Sequence, residues 1–179
     1  MSLSPREQML VDFGKLFGLS DFVETGTLIG TMFRAVQEGF ERAFTIDVCG
    51  PTPSLIAEFE KSDRVFLLRG SSRDMLGDIL QKYKITRALF WLDAHGNETF
   101  FKDDGNNQVP KELEAITQYA PSSLVVIDDI TWEKATPNEE TKRWVNRSYE
   151  FVVPEGWEVK YVDRTAILHR GGYVLPNNL

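Results

Sequence analysis

Short apolar runs alternate with stretches of helical period along this chain, and the alternation predicts its elements. Phe22 to Gly26, Ala43 to Val48, Val65 to Leu68, Ala88 to His95 and Ser123 to Ile130 read as five strands. Trp157 to Val162 and Ala166 to His169 are close enough to form a hairpin, with Asp163-Arg164 at the turn. Between the runs, helices are predicted over Pro5 to Phe17, Thr31 to Glu38, Pro53 to Lys61, Arg73 to Lys84, Pro110 to Tyr119 and Asn138 to Val145. Ser4 suits an N-cap and Gly18 a stop for the first of these. Strand and helix in alternation imply an α/β fold with a mostly parallel sheet, helices on both faces and an antiparallel pair at the end.

Two of the runs, Ala88-Leu89-Phe90-Trp91-Leu92-Asp93-Ala94-His95 and Ser123-Leu124-Val125-Val126-Ile127-Asp128-Asp129-Ile130, end abruptly in acids. A buried parallel strand looks like this where its carboxyl end opens into a polar site, and ligands of open α/β sheets bind outside those ends. Asp93, Asp128 and Asp129 are therefore candidate site residues. Aspartates at strand ends also cap the turns that follow, which explains one acid of the Asp128-Asp129 pair more easily than two.

A length of 179 residues suits one domain, taken as residues 21–179 with a packing helix in residues 1–20. A net charge of −7 argues against nucleic acid or an anionic membrane as partner, leaving small molecules or proteins. The single cysteine, Cys49, cannot form an internal disulfide, and no leader pattern opens the chain, so a cytoplasmic setting is expected. A chain this short leaves room for a second copy to complete a site, and a homo-oligomer is an open expectation.

The first strand runs through Glu24 and Thr25 into Gly26-Thr27-Leu28-Ile29-Gly30. Gly26 permits a tight turn and close approach of a ligand, and Gly30 permits close helix packing. The spacing is neither GxGxxG nor GxxxxGK[ST], which removes the main support for dinucleotides and nucleoside triphosphates. Glu24 would repel phosphate and attract an ammonium. Asp47, ending the second strand, is placed to accept hydrogen bonds from ribose hydroxyls. Together these acids suggest a nucleoside carrying an amino-acid tail. Ser71 and Ser72, after the third strand, either contact an adenine edge or cap the next helix.

On Glu24 to Gly30, Ile46-Asp47, and the segments ending in Asp93 and Asp128-Asp129, the chain resembles the class I S-adenosylmethionine-dependent methyltransferases from about Phe22 onward. The acids resemble the metal-dependent O-methyltransferases of the catechol, caffeoyl-coenzyme A and macrocin types. That resemblance implies a Rossmann-like, doubly wound sheet of seven mostly parallel strands with an antiparallel C-terminal strand, and S-adenosylmethionine as cofactor, with Mg²⁺ or another divalent cation on Asp93, Asp128 and Asp129. The implied reaction transfers a methyl group to a small-molecule hydroxyl whose proton a base removes.

Catechol-type enzymes carry a lysine where this chain has Gly96. His95, with Asp93, is then the nearest catalytic candidate, as base, as a group that orients a metal-binding acid, or as a metal ligand, and Lys102 is a weaker base. Trp132 is placed to contact an acceptor, whereas Trp91 and His169 read as structural and Cys49 as incidental. Gly96 to Val109 is polar and long enough for an active-site cover. Two other readings share the scaffold: a nucleoside-binding or assembly protein without catalysis, and a metal-dependent hydroxylase-like relative.

Overall fold

The computed structural model describes residues 2–94, 108–129, 136–138, 143–145 and 150–176. The first helix, α1 (Pro5–Phe17), begins with Ser4 and Glu7 exchanging hydrogen bonds and ends at Gly18 in the left-handed conformation. Both ends are therefore satisfied locally, as the sequence predicts. The remaining helices are α2 (Thr31–Val36), continued by a 3-10 turn at Gln37–Gly39, α3 (Pro53–Phe59), α4 (Ser72–Lys82) and α5 (Val109–Tyr119).

Seven strands form one sheet: β1 (Asp21–Thr25), β2 (Arg42–Asp47), β3 (Val65–Arg69), β4 (Leu89–Leu92), β5 (Leu124–Ile127), β9 (Glu158–Val162) and β10 (Thr165–His169). Their order is β3-β2-β1-β4-β5-β10-β9, and β10 runs antiparallel to both its neighbours. The order reverses beside β1, between β2 and β4, which places a crevice at the carboxyl ends of those strands.

Consecutive strand residues serve opposite faces. Leu89, Trp91, Leu124 and Val126 join Leu10 and Phe13 of α1 and Phe33 of α2 on one side. Phe90, Leu92, Val125 and Ile127 join Leu76 of α4 with Leu113 and Ile116 of α5 on the other. This period of two in strands covered on both faces is why they read as nearly unbroken apolar runs. Trp91 is 1% exposed and belongs to the core, as expected. Among the described residues no helix is long and apolar enough to cross a membrane.

Where a helix over Asn138 to Val145 is predicted, Asn138 and Arg143 to Val145 are strand residues, and residues 139–142 lie outside the described residues. Thr136–Asn138 (β6), Arg143–Val145 (β7) and Glu150–Val152 (β8) form a separate antiparallel sheet. Trp144 and Val145 favour strand, and pairing with β8 outweighs the local helix preference of the charged residues before them.

Candidate functional site

The turn after β1 is built around Gly26, whose backbone N–H donates to Ile46 O at 2.9 Å. Its φ is +89°, and a Cβ there would lie 2.3 Å from the Asp93 carbonyl oxygen. Only glycine fits this approach of the β1 turn to the end of β4. Gly30 also has positive φ, +77°, and a Cβ on it would press on Leu55 of α3 at 2.9 Å. Its role is thus to seat the start of α2 against α3.

Asp47 holds this turn from the next strand. One carboxylate oxygen accepts from Leu28 N at 2.9 Å and the other from Cys49 N at 2.8 Å. Leu28 itself sits at φ +48°, a conformation that a leucine adopts only when neighbours enforce it. Asp47 remains half-exposed, with lone pairs left for a ligand hydroxyl.

Glu24 is buried, 1% exposed, and accepts from Thr45 Oγ1 at 2.6 Å, while Thr45 and Thr27 share a second hydroxyl contact. Burial pushes its carboxyl up to about 8; the Thr45 hydrogen bond opposes this, and Asp93 and Asp47 reinforce it. Glu24 therefore lies beneath the turn as a neutral acid at pH 7.

Asp93 continues the ladder beyond β4, its N–H donating to Thr25 O at 2.9 Å, and Asp128 does the same beyond β5, donating to Leu92 O at 3.0 Å. Burial raises the Asp93 carboxyl to about 7, helped by Asp128 and Asp129 and opposed by Arg6 and Arg164. The three acids thus share one site, but two of them hold arginines. Arg6 of α1 donates to Asp128 at 2.8 Å, its guanidinium 5.8 Å from the Trp91 ring centroid. Arg164, at the β9–β10 turn, donates to Asp129, which adopts φ +55°. Burial pushes Asp128 upward as well, against the Asp129 backbone N–H and Arg6.

Two guanidiniums on the Asp128-Asp129 pair do not fit a preformed cage for a divalent cation, which needs those oxygens itself. Among the described residues no group of three His, Cys, Asp or Glu side chains is arranged to hold a metal. His95, Gly96, Lys102 and Trp132 lie outside the described residues.

Ser71 is the N-cap residue of α4 by its backbone alone: its carbonyl accepts from Asp74 and Met75, and its side chain makes no capping bond. The hydroxyls of Ser71, Ser72 and Thr25 are buried without a hydrogen-bond partner of good geometry. Helix capping by the Ser71 side chain is thereby removed as an explanation.

The fold brings Glu24, Thr25, Gly26, Asp47 and Asp93 to one edge of the sheet, with Ser71-Ser72 at the end of β3 beyond β2 and Asp128-Asp129 at the end of β5 beyond β4. Thr45, Arg6, Arg164 and a fully buried acid, Glu112, join them without having been expected from the sequence. Arg164 had a signal, since a hairpin turn there aims its neighbours at the end of β5.

Comparison with protein-family models and with curated protein sequences gives no match. Solved structures do match. The O-methyltransferase TomG from Streptomyces achromogenes, in complex with S-adenosylmethionine, superposes with a TM-score of 0.52 at 17% identity, covering 72% of this chain and 57% of TomG. An O-methyltransferase from Bacillus cereus in complex with SAH, the demethylated cofactor, gives 0.53 at 19% identity, covering 74% of this chain and 60% of that one. This chain spans less than two thirds of the length of either. The SAH-bound methyltransferase PaMTH1 of Podospora anserina gives 0.59 at 12% identity, covering 96% and 80%. The chain therefore has the Rossmann-like fold seen in these methyltransferases.

Proposed function

We propose that this protein is an S-adenosylmethionine-dependent methyltransferase that transfers the methyl group to a hydroxyl of a small molecule. One observation carries the reading. Glu24, Asp47 and Asp93 come together at the ends of three adjacent parallel strands, around a turn that only Gly26 allows. Acids at this edge favour a cofactor bearing positive charge, and the solved structures of the same fold hold S-adenosylmethionine or its product.

Asp47 orients a ribose through the lone pairs that Leu28 and Cys49 leave open. Glu24 meets the amino-acid tail, with Thr25, Gly26 and Gly30 shaping the turn and Ser71 and Ser72 the nucleobase edge. When bound, the cofactor supplies a methyl group already activated on a sulfonium. Asp93, its carboxyl raised to about 7 by burial, accepts the acceptor hydroxyl's proton in its ionised form, with His95, two residues on in sequence, as the alternative base. Mg²⁺ on Asp93, Asp128 and Asp129 would require Arg6 and Arg164 to leave their acids, so the proposed proton transfer is assigned to side chains.

Transfer of labelled methyl from S-adenosylmethionine to hydroxyl-bearing acceptors tests the assignment. Asp93→Asn should lose transfer by about a hundredfold or more, on the order expected for a general base, while still binding SAH. Undiminished transfer by Asp93→Asn contradicts the base role.

A further inference from the structure

Glu112 is the fourth residue of α5 and is fully buried, although its neighbours Lys111 and Glu114 pair with each other at the surface. Its carboxyl enters the sheet face lined by Val23, Ile46, Phe90 and Leu92, where leucine would pack without a desolvation cost. It meets two hydroxyls there. Thr25, 0% exposed, ends β1, and Ser72, 4% exposed, opens α4. Both hydroxyls lower the carboxyl's pKa, though their geometry falls short of full hydrogen bonds, and burial outweighs them to hold it at about 7.

The placement follows from helix packing. Gly77 of α4 has no Cβ, and one there would lie 3.3 Å from the Tyr119 ring of α5. The two helices therefore pack closely, and the first turn of each lies at the carboxyl edge of the sheet. Glu112 sits where those first turns meet the end of β1. The opposite face repeats the pattern, since Glu24 takes a hydrogen bond from Thr45 of β2. A carboxyl beside hydroxyls thus lies on each face at the end of β1.

We propose that Glu112 is a positioning residue for the cofactor site, tying the β1 turn at Thr25 to the start of α4 at Ser72 from beneath. The inference rests on the proposed cofactor reading, because those two segments are the ones assigned to the turn and the nucleobase edge. A protonated carboxyl has one donor and spare acceptors, so a small adjustment lets it bond one hydroxyl each way and orient both. An amide has the same capacity and nearly the same shape; leucine has the shape alone. A merely structural role predicts that leucine is harmless, because an apolar replacement for a buried polar group is often neutral or stabilising.

The test is the dissociation constant of SAH, by calorimetry, for wild type, Glu112→Gln and Glu112→Leu, with the melting temperature of each. Wild type binds, Glu112→Gln binds within about threefold of it, and Glu112→Leu binds at least about tenfold more weakly at equal or higher melting temperature. Wild-type affinity in Glu112→Leu overturns the proposal alone. Absence of SAH binding by wild type overturns the cofactor reading and this proposal with it. Should Glu112→Leu not fold, Thr25→Val and Ser72→Ala replace it, and undiminished SAH affinity in both counts against the proposal.

Discussion

The guanidinium of Arg6, on the first helix, lies 2.8 Å from the carboxylate of Asp128 at the end of β5, 122 positions away in sequence. This pair anchors α1 over the site edge and supplies the charge that buried Asp128 needs. Breaking a buried pair costs about 3–5 kcal/mol. Arg6 is 36% exposed, so solvent screening reduces the expected loss in Arg6→Ala to about 1–3 kcal/mol. Urea unfolding of Arg6→Ala, Asp128→Asn and the double variant measures the coupling. A coupling near zero contradicts the pair's role.

The same pair makes a prediction about metals. With Arg6 on Asp128 and Arg164 on Asp129, the wild type should bind Mn²⁺ weakly in an electron paramagnetic resonance titration, and Arg6→Ala with Arg164→Ala should bind it more tightly. Stoichiometric binding by the wild type, lost in Asp128→Asn, would show that the cation displaces the arginines.

Gly26→Ala should fail on two counts, a φ of +89° and a Cβ placed 2.3 Å from backbone that cannot step aside. A loss on the order of 2 kcal/mol or more is expected, together with loss of SAH binding. Thermal unfolding and calorimetry read the two effects separately, and wild-type behaviour in both excludes the close approach of β1 and β4.

Glu24 and Glu112 contribute to the pH dependence of stability, alongside the raised carboxyls of Asp93 and Asp128. Burial raises the two glutamates from 4.5 to about 8 and about 7, so the folded protein retains protons that the unfolded chain has released. Their contribution is complete below about pH 4.5 and is lost as pH rises, through about 7 for Glu112 and about 8 for Glu24. Replacing either by glutamine should flatten the fall in unfolding free energy between pH 5 and 8. An unchanged slope in Glu24→Gln denies that its acid is held neutral.

Glu24 also couples protons to the cofactor. A carboxyl neutral at pH 7 must ionise to pair with an ammonium, so SAH binding should release a proton and strengthen as pH rises toward about 8. Calorimetry in two buffers of different ionisation enthalpy counts that proton, and equal observed enthalpies sink the contact between Glu24 and the tail.

Much of this was legible in the chain because parallel strands buried on both faces leave an unmistakable trace: Leu124 to Ile127 is apolar throughout and stops at two acids. Ser4 and Gly18 likewise mark the ends of α1 by local chemistry. Glu112 was not legible, because Lys111-Glu112-Leu113-Glu114 looks like a solvated helical turn and only packing against α4 turns one of its acids inward. The arginine partners of Asp128 and Asp129 are non-local: nothing near Arg6 signals its pair, and only the hairpin turn hints at Arg164. Thr136 to Val152 misled for a related reason, since three short strands stabilise one another by pairing rather than by local preference.

The central claim is that the edge formed by Gly26, Asp47 and Asp93 holds S-adenosylmethionine. Isothermal titration of the wild-type protein with SAH, alongside Asp47→Ala, tests it most directly. One site per chain in the wild type, weakened at least about tenfold by Asp47→Ala, is the predicted result. No heat of binding at millimolar SAH, from a protein shown to be folded in the same buffer, would contradict it.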